Sequence, residues 1–378
     1  MNARERVLTA LDHCEPDRVP IDFGSCGPTG VHILAYERLL NVLGIEEEPI
    51  IWDMVGQLAQ PSETVLKLVG ADVRGIRVGG GTYTPEMLSQ TELVDQWGAV
   101  WRRPDGASCF NLAVHPLREA TLRDLENYPW PDGKRPELVA GLAERARQLH
   151  EETSYAVLGE VSGHILERAQ MLRGFDTFLI DLIANRPFAE ELMDRILAVE
   201  MDIVSNFLDA VGPYIDVIAF KDDLAMQNGP LISPKMFREM IKSRLRKLVE
   251  LMRSKTQARV WFHSCGSVAY AIPDLLDIGI EVLNPVQVMA KDMDPMRLKR
   301  QFGHNLAFWG GVDTQQVLPF GTPDDVQAEV KRRIAELAPG GGYVLASVHN
   351  IEADVPGENV WAMFQSVHRY GRYPLRTN

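Results

Sequence analysis

The chain has 378 residues, with 39 Lys plus Arg against 52 Asp plus Glu and a formal net charge of −13, which excludes nucleic acid and anionic membrane surfaces as partners. Its 46% hydrophobic content can bury a large core and excludes intrinsic disorder. No stretch reaches the ~20 apolar residues of a membrane span, and the charged start MNARERVLTALDHCEPDR lacks the apolar centre of a secretion signal, so a soluble, cytoplasmic protein is expected. Cys14, Cys26, Cys109 and Cys265 are too few for a disulfide framework, and reduced thiols are expected.

In chain order, residues 4–11 have helical spacing and are stopped by the Glu15-Pro16 turn. Residues 18–23 (RVPIDF) read as a strand running into the glycine-rich loop GSCGPTG at 24–30. Further strands are predicted at 73–78, 155–161, 216–220, 259–263, 281–284, 307–309 and 343–348, which brings the total to eight. Amphipathic runs at 135–151, 188–210, 235–255 and 324–337 lie between them, with apolar residues every three or four positions. Alternating strand and helix implies parallel strands with right-handed crossovers, and eight such units close a barrel. The expected fold is therefore α/β, a (β/α)8 TIM barrel with an N-terminal helix, forming a single domain over residues 1–378. Residues 90–118 break the pattern by alternating like an antiparallel hairpin, with Asp105-Gly106 as its turn. This β-hairpin excursion is expected to serve either as a flap over the barrel mouth or as a surface ribbon, for instance a homodimer contact.

In such a barrel the chemistry sits at the C-terminal ends of the strands. Those ends read GSCG (24–27), GEVSGH (159–164), KDD (221–223), HSCG (263–266), NPVQ (284–287), GGVD (310–313) and VHN (348–350). They are richer in ionisable and amide groups than a structural turn requires. His263 and Cys265, two apart in one loop, can converge on a tetrahedral Zn²⁺. A third ligand must come from another strand end. His349 is the candidate, Cys26 in the first loop the reserve, and in the latter case His349 only supports the ligands. Asp222 and Asp223 can hold a proton, orient a ligand or support a metal-bound histidine, and Glu160 stands where a strand meets its loop. There is no Gly-x-x-x-x-Gly-Lys-Ser/Thr phosphate loop, no Gly-x-Ser-x-Gly elbow and no strand-linked GxGxxG. Gly79-Gly80-Gly81 reads as a plain loop and Gly340-Gly341-Gly342 as structural, at the end of the barrel opposite the site.

The succession EPDRVPIDFG (15–24), KDDLAMQNGPLISPKMF (221–237), HSCGSV (263–268), DIGIEVLNPVQ (277–287), LKRQFG (298–303), WGGVDTQQVLPFGTPDDV (309–326) and GGGYVLASVHNIEADVPGENV (340–360) resembles the uroporphyrinogen decarboxylase superfamily, and within it the corrinoid-dependent methyltransferases. The resemblance implies the same barrel. It does not imply decarboxylation: true decarboxylases hold a substrate with eight carboxylates through an arginine-containing segment, and DRVPIDFGSCGPTG has no arginine after Arg18. A chain of net charge −13 also repels such a polyanion.

For the methyltransferase branch the resemblance implies a zinc site of the form His-x-Cys plus a distant Cys. His263 and Cys265 match; at the third place this chain has His349, ahead of Pro356-Gly357-Glu358-Asn359. Imidazole for thiolate leaves the metal about one charge more positive, a stronger Lewis acid and a weaker thiol activator. The expected activity is thus transfer of a methyl group from a small methylated substrate, a methyl ether ahead of an amine or thiol, to a corrinoid carried by a partner protein. Glu160 and Asp222 would act as catalytic carboxylates, and Asn284, Gln287 and Asp223 would bind substrate. The other readings are transfer from methyl-corrinoid to a thiol of the coenzyme M type, a decarboxylase-like activity, and a non-catalytic ligand-binding barrel. The chain has no Asp-x-His-x-x-Gly corrinoid signature, so the corrinoid is expected on a separate protein.

Overall fold

A computed structural model describes residues 1–79 and 85–375. Seven parallel strands follow one another around a curled sheet: β1 (Val73–Arg77), β2 (Ala156–Glu160), β3 (Val217–Lys221), β4 (Arg259–His263), β5 (Val282–Asn284), β6 (Ala307–Val312) and β7 (Tyr343–Ser347). The expected eighth strand, 18–23, is not a regular strand. Its Pro20 has no N–H to give to a ladder, and the segment makes isolated bridges, a parallel one between Ile21 and Leu345 and an antiparallel one between Arg18 and Arg372. The segment nevertheless closes the ring. On one side Leu345 donates to Pro20 O at 2.9 Å and Asp22 donates to Leu345 O at 3.0 Å; on the other Asp72 donates to Ile21 O at 2.8 Å.

Period-2 alternation then sorts every strand into an inner and an outer face. Leu158, Ala219, Trp261, Val282, Trp309 and Ala346 belong to an apolar cluster inside the ring, while the opposite faces join the larger core beneath the helices. Val7 and Leu11 of the N-terminal helix (Ala3–Leu11) belong to the inner cluster and plug the lower end. There Gly342 N–H donates to Ala10 O at 2.7 Å, the structural place expected for the 340–342 glycines. Two residues beyond the apolar layer the inward row becomes polar: Arg77, Glu160, Lys221, His263 and Asn284 stand at the C-terminal ends. Arg77 pairs in register with Glu160, and Lys221 and Asn284 both pair with His263.

The helices lie close to their expected places, at Leu142–Glu152, Arg186–Val211, Lys242–Lys255 and Pro323–Leu337. The excursion differs. In place of one hairpin there are four antiparallel strands, Glu86–Ser89, Glu92–Val94, Val100–Arg102 and Asn111–Val114, with Asp105-Gly106 in the last connection. Asp95 supplies the turn that the alternation alone does not reveal. Its carboxylate accepts from Trp97 N–H at 2.9 Å, Ala99 N–H at 3.0 Å and Trp101 Nε1 at 2.9 Å. The sheet follows β1 in the chain and is tied down by Phe110 N–H to Val55 O (3.0 Å), and the segment after it by Leu117 N–H to Leu172 O (2.9 Å) in the helix Leu166–Arg173. Of the glycine run at 79–81, residues 80 and 81 lie outside the described residues. No helix among the described residues is long and apolar enough to cross a membrane.

Candidate metal centre at the barrel mouth

His263 ends β4 with 4% of its surface exposed. Its Nδ1 lies 2.5 Å from Asn284 Oδ1, and the Asn284 amide is oriented by Nδ2 donating to Trp309 O at 2.9 Å. The imidazole therefore donates through Nδ1 and presents a free lone pair on Nε2. Cys265 Sγ stands 3.3 Å from that Nε2. The loop carrying the thiol is held at three points. Ser264 N–H donates to Asn284 O at 2.9 Å, Cys265 N–H to Asp223 Oδ1 at 2.8 Å and Gly266 N–H to Gln287 Oε1 at 2.6 Å. Gly266 has φ +82°, and a Cβ there would sit 2.7 Å from Ala225 O, so the HSCG turn requires glycine.

His349, just beyond β7, completes the trio, its ring centroid 5.9 Å from that of His263. The donor atoms of His263, Cys265 and His349 lie within 4.8 Å of one another, the trio expected from the sequence. A tetrahedral zinc holds neighbouring N and S donors roughly 3.3–3.6 Å apart. The His263–Cys265 edge already has that length, and the trio fits zinc after about an ångström of closure. Cys26 is elsewhere: it is fully buried in the inner cluster, 3.4 Å from Thr29 Oγ1, and the reserve ligand set does not assemble.

Burial drives His263 down to about 3, so the ring is neutral. Burial, with Asp223 and Glu167 nearby, pushes the Cys265 thiol well above its ordinary range.

The expected carboxylates separate into different roles. Asp222 is completely buried. Its Oδ2 accepts from Ile165 N–H at 3.1 Å and Leu166 N–H at 2.8 Å, and its Oδ1 from Glu167 N–H at 2.8 Å. It thus caps the helix Leu166–Arg173 and does not face the mouth. Burial raises its pKa and those three N–H groups oppose the rise. Asp223 lies 3.9 Å from His263 Nε2 while accepting from the Cys265 amide. Glu160 accepts from Gly27 N–H at 3.0 Å and pairs with Arg77 Nε at 3.4 Å; burial raises its pKa against the pull of Arg77 and Lys221. Both polar ends of Gln287 meet protein, Gly266 N–H and Gln227 Oε1, the latter at 2.7 Å. Asn284 and Gln287 are therefore placed to hold the ligand loop, where substrate contacts were expected.

Lys221, in the sequence only one member of the strand end KDD, and Arg77, which is not among the expected site residues, are mouth residues that two-residue steps from Ala219 and Val73 place on the inner face. Burial works to lower the Lys221 pKa, but Glu167, Glu160, Asp53 and Asp223 outweigh it, and the net shift is upward. His164, 6% exposed, directs Nε2 at Glu167 Oε2, 3.3 Å away.

Comparison with known proteins gives a consistent picture. The uroporphyrinogen decarboxylase (URO-D) family profile matches residues 112–370. The chain is 29% identical over 206 residues to the methylcobamide:CoM methyltransferase MtaA of Methanosarcina barkeri, covering 53% of this chain and 57% of that protein. It is 24% identical over 195 residues to a uroporphyrinogen decarboxylase of Neisseria meningitidis, covering 50% and 51%. The chain thus spans about half the length of these curated relatives. A solved methyltransferase structure from Methanosarcina mazei superposes with TM-score 0.67 at 22% identity over 98% of this chain and 99% of that one, which shows the shared fold.

Proposed function

Because the chain belongs to the uroporphyrinogen decarboxylase (URO-D) family, whose profile covers well over half of it, we propose that it is a zinc-dependent methyltransferase moving a methyl group from a small methylated substrate, a methyl ether first among them, to a corrinoid carried by a partner protein. The observation that carries this reading is the convergence of the His263, Cys265 and His349 donor atoms at the open end of the barrel.

Zinc bound there supplies a Lewis acid that stabilises charge developing on the atom losing the methyl group. The protein's own groups prepare that centre. Asn284 fixes the His263 tautomer, while Asp223 and Gln287 hold the loop that carries Cys265. Asp222 positions the helix behind the mouth. Glu160 faces the mouth and can hold the substrate or pass a proton to its leaving atom. Decarboxylation of a polycarboxylate has little support, since Arg77 is already engaged by Glu160 and by Gln60 Oε1 at 3.0 Å.

The similarity to a methylcobamide:CoM methyltransferase favours one alternative, transfer from methyl-corrinoid to a thiol. Against it stands the third donor: a His₂Cys set leaves the metal more electrophilic than a set with two thiolates.

The test is metal analysis together with turnover. Purified protein should carry about one zinc and methylate a Co(I) corrinoid protein from one of a panel of methyl ethers, methylamines and methylthiols, followed by corrinoid absorbance. His263→Ala should lose both metal and transfer, and full metal retention in that variant sinks the site. A metal-free purified protein favours the ligand-binding barrel, and thiol methylation from methylcobalamin favours the alternative direction.

A further inference from the structure

The cations at the mouth are not equivalent. Arg77 has Glu160 Oε2 at 3.4 Å and the face of Trp52 at 3.9 Å; Arg168 has Asp95 at 4.0 Å and the Trp97 ring at 4.9 Å. Lys221 has no hydrogen bond and no ion pair within 4.0 Å of its ammonium among the described residues, although it is largely enclosed at the end of β3. None of the carboxylates around it comes within 4.0 Å: Glu160 is turned to Gly27 N–H and Arg77, Asp223 to the Cys265 amide and Asp53 to the Val55 and Gly56 amides, while Glu167 lies 3.3 Å from His164 Nε2. Glu167, Glu160, Asp53 and Asp223 keep the ammonium charged from a distance, but its three donors have no acceptor in hydrogen-bond reach and can take one from a ligand. Its register partner is His263, on the adjacent strand ~4.8 Å away and on the same inward face.

We propose that Lys221 anchors the substrate, and that the substrate is a methyl ether carrying a single carboxylate, its carboxylate on the Lys221 ammonium and its methyl-bearing oxygen toward the His263, Cys265 and His349 cluster. One ammonium without a close acceptor can take one anionic group, and further carboxylates on the ligand would meet the repulsion of Glu167, Glu160, Asp53 and Asp223 around it. The adjacency of Lys221 and His263 lets one small molecule span both groups. The choice of methyl ether rests on the methyltransferase reading above, whereas the carboxylate anchor does not need methyl transfer to be observed.

Calorimetric titration of the zinc-loaded protein tests it with two acid and amide pairs, methoxyacetate with methoxyacetamide and 4-methoxybenzoate with 4-methoxybenzamide. In at least one pair the acid should bind about tenfold or more tightly than the neutral amide, as a charge-assisted hydrogen bond allows. Lys221→Met should erase that preference with zinc content and circular dichroism unchanged, and Lys221→Arg should keep most of it. Equal binding of acid and amide in the wild type, absence of binding for all four probes at millimolar concentration, or an intact preference in Lys221→Met overturns the anchor. A preserved acid preference in a protein that never methylates a corrinoid keeps the anchor and removes the methyltransferase reading.

Discussion

His263 Nδ1 and Asn284 Oδ1 are 2.5 Å apart across neighbouring strands, and this contact decides which face of the imidazole is free for a metal. With Nδ1–H committed to Asn284, the lone pair falls on Nε2, beside the Cys265 thiol. Asn284 is itself locked by the Trp309 carbonyl. Removing such a supporting partner costs 10–100-fold in metal affinity in comparable sites. Asn284→Ala is therefore expected to weaken zinc binding by about that factor while leaving the barrel folded, measured by competition with a chromophoric chelator. Unchanged affinity would mean that the tautomer is set by something else.

The protonation states give a second expectation. His263 sits near 3, and His349 is lowered in the same sense by burial and by His263, so both rings are neutral at pH 7. The Cys265 thiol lies well above its ordinary range and is protonated there. A metal requires thiolate and neutral imidazole, so zinc should expel one proton, from Cys265 alone. Affinity should then rise about tenfold per pH unit between pH 6 and 8 and fall by the same factor on acidification. Calorimetry in buffers of different ionisation enthalpy counts the proton directly; a count of zero or two contradicts these assignments.

Much of this was legible in the sequence because parallel barrel strands are apolar runs bounded by turns, and their C-terminal ends are where ionisable residues gather. The trio His263, Cys265 and His349 could be selected that way. Which way a strand-end side chain points was harder. Asp222 and Asp223 are neighbours in sequence, but only Asp223 reaches the ligand loop, while Asp222 turns back to three amides of another helix. Such a cap joins residues 55–57 positions apart and leaves no local pattern. Lys221 stood in the strand end KDD, but nothing local in the sequence set it apart from the two aspartates that follow it. The four-stranded excursion was misjudged because the Asp95 turn is built by side-chain acceptance and carries no Asn-Gly or Asp-Gly signature.

Asp222 offers a clean separation of structural from chemical roles. Truncation to Ala strands three amide donors at a buried helix start and should destabilise the protein by about 3–5 kcal/mol. Chemical denaturation followed by circular dichroism reads this directly. A variant of wild-type stability that has lost methyl transfer would instead return Asp222 to the catalytic role expected from its sequence position.

The closure of the barrel makes a final prediction. β1 passes so close to the segment 18–25 that a Cβ on Gly75 would lie 1.8 Å from Ser25 O, a distance no side-chain adjustment relieves because the obstacle is backbone. Gly75→Ala must push that segment outward, away from the Ile21 carbonyl contact with Asp72 and from Leu345 on the other side. The expected cost is about 3 kcal/mol or more, the upper range for an overpacked core. The displacement also travels two residues to Gly27, whose N–H holds Glu160 at 3.0 Å, so the mouth should suffer along with the stability. At a temperature where Gly75→Ala remains folded, zinc content should stay near that of the wild type, because His263 ends β4 and Cys265 and His349 lie in the loops that follow β4 and β7, away from Gly75. Turnover should fall with the loss of the Gly27 contact. Wild-type melting behaviour in Gly75→Ala would show that residues 18–25 do not seal the ring.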